Sequence, residues 1–167
     1  TLGGVLTSFV FGRFVTGYLS QYLIQTQGPV GAAQAMPAIL FTNALGVILM
    51  QYPIGRRIAP PHLFRWVVVG LAFYVLGLWG FMHANSVLTW VMAVAAFTVG
   101  EVITVPTDYL FVDRIAPVHR RGSYYGAQSL SGFGAAACPV VCGYLLASYP
   151  PAMMFWVLMV SAVASVW

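Results

Sequence analysis

Three ionisable side chains, Arg13, Glu101 and Asp108, lie inside long apolar stretches of this sequence. A charged group at bilayer depth is costly, so such residues face a water-filled cavity or one another, and they mark ion or substrate pathways. A carboxylate that alternates between wet and apolar surroundings can bind and release a proton. We therefore take Glu101 as a candidate carboxylate that responds to a proton or to the substrate. Arg13, at a similar predicted depth, is either its modulator or its partner in a static ion pair.

The predicted helix that carries Glu101 presents further polar groups. Thr104 and Asp108 follow Glu101 at i+3 and i+7 and share its face, and Pro106 frees a backbone carbonyl and permits a bend. Asp108 lies near the predicted helix end, where solvent or a loop arginine explains it as well as a pathway role does. Lone amides in two other helices join the lining or act as contacts between helices. The predicted substrate and proton pathway comprises Glu101, Arg13, Asp108, Thr104, Asn43 and Gln128.

The fifth apolar stretch is rich in small residues. Gly122 and Gly126 form a GxxxG pattern at its start, and Cys138 and Cys142 continue a seam of small residues at helical spacing. Such seams permit close packing and also sliding, and Pro139 interrupts the hydrogen-bond ladder midway. The cysteines form neither a CxxC redox pair nor the framework of a secreted disulfide-rich module.

Composition determines what surrounds these groups. Hydrophobic residues make up 60% of the 167 and charged residues 6%, with mean hydropathy +0.87, against about 25% charged residues in a globular protein. A water-soluble fold is excluded, and the lipid bilayer is the expected solvent. The net charge of +4 comes from seven dispersed arginines, which argues against a nucleic-acid partner.

Enzymatic and metal-dependent readings find no support in the sequence. His62, His83 and His119 lie in three different connections, so they cannot jointly bind a metal ion. No phosphate-binding loop of the Walker type occurs, so we do not expect this sequence to bind and hydrolyse ATP. We expect neither an enzyme nor a resident cofactor.

The fold class predicted is all-α integral membrane, with six transmembrane helices. Residues 14–55, 66–100 and 122–167 contain no Asp, Glu, Lys or Arg, and turn residues break each block near its middle. A helix needs about 20 apolar residues to cross the hydrocarbon, so each block supplies two spans. The chain begins without Met and ends in an apolar stretch, so we expect an excerpt truncated at both ends. The predicted spans are 2–23, 35–54, 64–82, 87–111, 124–147 and 152–167.

Six of the seven arginines fall in two of the five connections, between spans two and three and between spans four and five. They are Arg56, Arg57 and Arg65 in the first connection and Arg114, Arg120 and Arg121 in the second. Cytoplasmic loops carry the excess of positive charge. Both connections, and both ends of the chain, are therefore predicted to be cytoplasmic, in a multi-pass protein of a cell membrane such as the bacterial inner membrane.

Residues 100–126 resemble the C-terminal half of a major facilitator superfamily transporter. The pattern G-E-x-x-x-x-P, then D-x-x-A-P-x-x-x-R-G-x-Y-x-G, is similar to helix ten, the following loop and the start of helix eleven in drug-efflux-like bacterial members. Residues 52–57 resemble the loop between helices eight and nine. The resemblance implies that the six spans are helices seven to twelve of a twelve-helix transporter, with an N-terminal half as partner.

The resemblance also implies roles for the charged connections. Arg56 and Arg57 match the basic end of a cytoplasmic gating motif, although the acidic residue of its fuller form is missing, and Arg13 matches no motif of the family. The charges that latch the two halves together match Asp113, Arg114, Arg120 and Arg121. The implied function is proton-coupled efflux of small drug-like compounds by an antiporter. The alternatives are a solute uptake permease and a non-transporting membrane scaffold.

Overall fold

The computed structural model describes residues 2–58 and 60–166, without the side chains of Val15, Thr16 and Pro60. The described residues form helices joined by short turns, and no strand occurs among them. The elements are α1 (Leu2–Phe11), a π-helical segment (Phe14–Leu19), α2 (Ser20–Gly55), α3 (Leu63–His83), α4 (Val87–Ile115), α5 (Arg121–Ser129), α6 (Gly132–Ser148) and α7 (Pro151–Ala164), with short 3₁₀ turns at Pro60–His62 and Val118–Arg120.

The first predicted span, 2–23, is not one regular helix. α1 ends at Phe11, a turn occupies Gly12 and Arg13, and the π-helical segment follows before α2 begins. Glycine costs about 1 kcal/mol relative to alanine in a helix interior, and Gly12 lies in the turn while Gly17 lies within the π-helical segment. Gly12 packs directly against Ala135 of α6, so that a Cβ atom added to Gly12 would collide with the side chain of Ala135. The irregular segment thus combines a local weakness of the helix at two glycines with close packing of Gly12 on α6.

The predicted break between spans one and two falls on Gly28. This residue has φ 76° and ψ 172°, a non-helical conformation inside a segment that is otherwise helical from Ser20 to Gly55. Glycine adopts positive φ without a steric penalty, and Pro29 is tolerated because it stands at the start of the next helical turn. The helix thus resumes at Pro29, six residues before the predicted start of span two at residue 35.

Chain direction changes at this kink. Before it, the ring of Phe14 lies 4.4 Å from that of Phe97 and the ring of Tyr22 lies 6.1 Å from that of Trp90, so the chain runs antiparallel to α4. After it, Asn43 contacts Thr98, and the later residues of α2 border a cavity with residues 101–106, so the chain runs parallel to α4. The two parts of α2 thus run in opposite directions.

The second charge-free block follows its prediction closely. α3 (Leu63–His83) matches 64–82, and α4 starts at residue 87 as predicted, where Ser86 and Thr89 form a reciprocal capping box. α4 ends at Ile115 rather than at residue 111, one turn later than predicted. Asp108 therefore lies about 10 Å inside the helix end, at about 1.5 Å per residue, and not within its last turn.

The fifth predicted span, 124–147, consists of two helices. α5 ends at Ser129 and α6 begins at Gly132. Between them, the backbone N–H groups of Leu130 and Ser131 donate to the carbonyls three residues earlier. A close approach of the α6 backbone to α1, at Gly134, accompanies this break. The sixth predicted span, 152–167, corresponds to α7 (Pro151–Ala164), and its last residue, 167, lies outside the described residues.

Length and apolar composition make this a multi-pass membrane protein. Among the described residues, four helical stretches are long and apolar enough to cross a membrane: Gly17–Gly55, Leu63–His83, Val87–Ile115 and Val118–Ser148. Leu2–Phe11 and Pro151–Ala164 are apolar but shorter. The predicted number of six spans is thus not reached by helix length alone.

Two features fix the layout of the bundle. Large aromatic side chains, among them Tyr74, Phe97 and Phe155, are fully buried at its centre. At one end, a single cavity is bordered by residues from near both chain ends and from the helices next to both arginine-bearing connections. Those connections and both ends of the described chain therefore lie at the same end of the bundle.

Candidate functional site

Glu101 takes part in a hydrogen-bonded cluster that joins α2 to α4. The Nδ2 atom of Asn43 donates to Oε2 of Glu101 at 2.9 Å and to Oγ1 of Thr98 at 3.0 Å. The Thr98 hydroxyl in turn donates to the carbonyl of Val94 at 2.7 Å. Asn43 of α2 therefore binds the Glu101 carboxylate of α4 across the contact between the two helices. A hydrogen bond to an ionised acceptor is stronger than one between neutral groups.

Thr98 was missed by the sequence analysis although a signal was present. It precedes Glu101 by three residues, which places both on one helix face. A buried hydroxyl at that spacing from a half-buried carboxylate is a natural second acceptor for an amide on the neighbouring helix. Asn43 was predicted either to line the pathway or to form a contact between helices, and its hydrogen bond with Glu101 is a contact between helices.

Arg13 does not pair with Glu101. The arginine side chain is exposed at the turn between α1 and the π-helical segment, and among the described residues it forms no ion pair with Glu101 or Asp108. Matching depths along two helices leave their rotations undetermined, so the predicted proximity did not follow. The modulating role of Arg13 stays a prediction.

Two cavities lie along one side of α4. One, of about 190 Å³, is lined by Gln51, Glu101 and Val105, among others. The other, of about 250 Å³, is lined by Val105, Asp108 and Gln128, among others. Val105 borders both cavities, and the two carboxylates are about 10 Å apart along the helix at seven residues' separation.

Asp108 and Gln128 also line a third cavity, of about 280 Å³, at the arginine-bearing end of the bundle. The structure thus brings these two predicted pathway residues together. Thr104, predicted on the same face, is fully buried against Gly70 of α3 instead. Its hydroxyl has no hydrogen-bond partner among the described residues.

The charged connections are exposed at one end of the bundle. Asp113 and Arg121 form an ion pair of 3.8 Å with both side chains about half exposed, an arrangement worth at most about 1 kcal/mol. The guanidinium of Arg56 stands 5.4 Å from the ring centre of Tyr52. The remaining predicted gating residues are likewise exposed: Arg57, Arg114 and Arg120.

The predicted hinge and packing residues divide into two kinds. Pro106 lies within α4 and Pro139 within α6, and each helix continues through its proline. Gly122 and Gly126 face open space among the described residues, so the GxxxG pattern makes no close helix contact there. The close approach between helices occurs at Gly134 instead, against the carbonyl of Val5.

The contact between α2 and α4 can be tested by cross-linking. In a full-length protein without its native cysteines, we expect Asn43→Cys and Thr98→Cys to form a disulfide on mild oxidation, because the native side-chain atoms are 3.0 Å apart. The control pairs Asn43→Cys with Thr107→Cys, about 13 Å further along α4. A gel-shift assay that shows equal cross-linking of both pairs would contradict this packing.

Comparison with known proteins gives two relatives. The uncharacterized MFS-type transporter YdeE of Escherichia coli (strain K12) is 39% identical over 166 residues, which cover 99% of this chain and 42% of YdeE. The uncharacterized MFS-type transporter YqjV of Bacillus subtilis (strain 168) is 28% identical over 145 residues, which cover 85% of this chain and 34% of YqjV. The chain thus spans less than half the length of these relatives. No protein-family model and no solved structure matches it.

Proposed function

This chain belongs to the major facilitator superfamily of transporters, and from that premise we propose that it forms the C-terminal six-helix half of a proton-coupled exporter of small drug-like compounds. The identity to YdeE extends over nearly the whole chain. Because YdeE is more than twice as long, there is room in such a protein for a second half of similar size. The proposed partners are an N-terminal six-helix half, the lipid bilayer and a small-molecule substrate.

Six crossings are supported by the helix contacts. The reversal of direction at Gly28 separates the first crossing from the second, although helical structure resumes at once. α5 and α6 together provide one crossing of bilayer length. With the arginine-bearing connections at one end of the bundle, the positive-inside rule assigns that end to the cytoplasm.

The observation that carries the proposed coupling is the hydrogen bond between Glu101 and Asn43, next to the cavity of about 190 Å³ that Glu101 lines. Protonation would neutralise Glu101 and weaken its hydrogen bond with Asn43, since hydrogen bonds to ionised acceptors are the stronger ones. The contact between α2 and α4 would then depend on whether a proton is bound. A ligand shifts a conformational equilibrium by its differential affinity for two states, and here the proton is that ligand.

A flux assay tests this proposal. The full-length protein is placed in proteoliposomes with an acidic lumen, and a panel of fluorescent amphipathic compounds is added outside. Export by proton exchange predicts accumulation of at least one compound in the lumen, abolished by an ionophore that collapses the pH gradient. Accumulation with the opposite gradient alone would indicate an uptake permease. A protein that moves no compound under either gradient would support the scaffold alternative.

A further inference from the structure

Cys138 and Cys142 form a pair of free thiols on one face of α6. Their Sγ atoms are 3.7 Å apart, and both residues are completely buried. One helical turn separates them, so the two sulfurs point the same way. Nothing in the proposed transport mechanism uses these thiols.

The surroundings of the two thiols are apolar and closely packed. Pro139, next to Cys138, lies against Gly17 of the π-helical segment. The nearby hydroxyl of Tyr18 is already engaged, because it donates to the carbonyl of Val10 at 2.9 Å. Among the described residues, no group of three or more His, Cys, Asp or Glu side chains could hold a metal ion. The site therefore offers two sulfur ligands and no third or fourth protein ligand.

The sulfur spacing selects the geometry of a bound atom. Two sulfurs bonded at about 2.3 Å to one tetrahedral centre lie about 3.8 Å apart, close to the observed separation. A linear two-coordinate ion with the same bond length would require about 4.6 Å. The two sulfurs therefore need little movement to bond one centre at a bent angle, and the helices must part to admit the rest of the bound group.

The apolar surroundings of the thiols favour a bound species that leaves the site electrically neutral. A monovalent metal ion held by two thiolates would leave a net negative charge in an apolar seam, at a high cost in desolvation. A trivalent organoarsenical avoids that cost because its product with two thiols is neutral. Two As–S bonds form, two As–OH bonds break, each thiol proton leaves with an arsenic hydroxyl as water, and no electron is transferred.

We propose that Cys138 and Cys142 form a dithiol site that binds trivalent organoarsenicals covalently. The inference is independent of the transport proposal, since it concerns a seam between the first and fifth predicted spans. The binding of one arsenical by two sulfurs distinguishes this site from a pair of separately reactive cysteines.

The probe is phenylarsine oxide, added to the folded full-length protein in detergent with every cysteine outside this pair replaced by serine. Intact mass spectrometry is expected to show one phenylarsenic adduct per chain, removed by excess 1,2-ethanedithiol. Cys138→Ser and Cys142→Ser should each raise the concentration needed for half labelling by at least about 100-fold, because the second bond forms intramolecularly. Alanine variants, checked for folding by size-exclusion chromatography, should behave as the serine variants do.

Two outcomes would overturn this proposal. The first is a folded protein that takes up no arsenical while the same protein, unfolded in SDS, takes up one per chain. The second is a single-cysteine variant that binds the probe as tightly as the pair does. The first outcome would show that the seam stays closed to the reagent, and the second that the thiols act separately.

Discussion

Glu101→Gln is expected to abolish flux driven by a pH gradient while leaving the amount of protein in the membrane unchanged. Glutamine has nearly the shape of glutamate, and its carbonyl oxygen can still accept the hydrogen bond from Asn43. It cannot bind or release a proton in the working range of pH. The flux driven by the pH gradient should therefore fall by at least about tenfold, the equivalent of about 1.4 kcal/mol.

Glu101→Asp is the matched control, because it shortens the side chain but keeps a titratable carboxylate. It should retain part of the gradient-driven flux in the same proteoliposomes. Substrate exchange without a gradient should persist in both variants, because the proposal assigns only the coupling to this carboxylate. Undiminished gradient-driven flux in Glu101→Gln would remove Glu101 from the mechanism.

Gly134→Ala is expected to destabilise the protein severely. A Cβ atom at this position would collide with the backbone carbonyl of Val5, and backbone atoms cannot move aside as a flexible side chain would. Overpacking by one methyl group costs roughly 1–3 kcal/mol, and a contact between two backbones belongs at the upper end. Thermal unfolding in detergent measures the loss.

Gly132→Ala provides the comparison within the same helix. This glycine has open space around the position of the added methyl group among the described residues, so its substitution should leave the unfolding temperature nearly unchanged. Equal unfolding temperatures for the two alanine variants would contradict the close packing of α1 on α6.

The part of the fold that could be predicted from sequence depends on local signals. α3 and α4 begin and end close to their predicted positions because turn residues and a capping box separate them at Ser86. The irregular segments could not be predicted in this way. The break near Gly12 and the one before Gly134 accompany contacts between α1 and α6, which are more than 100 residues apart in sequence.

The candidate site, too, could be predicted from sequence only in part. Glu101 was predicted because a carboxylate inside an apolar helix is rare, and its polar face was predicted from helical spacing. The partner was misjudged, since distance along a helix does not fix rotation about its axis, and Glu101 contacts Asn43 rather than Arg13. Thr98 was not predicted as a site residue, because single threonines are common in apolar helices.

The account depends most on the alternation of the helices across the bilayer, which cysteine labelling measures directly. In a full-length protein without native cysteines, a membrane-impermeant maleimide is applied to intact cells that carry Arg57→Cys, Arg120→Cys or Asn85→Cys. The account predicts labelling of Asn85→Cys alone, with the two arginine positions labelled only after the membrane is permeabilised. Labelling of Arg57→Cys and Arg120→Cys from opposite surfaces would contradict it.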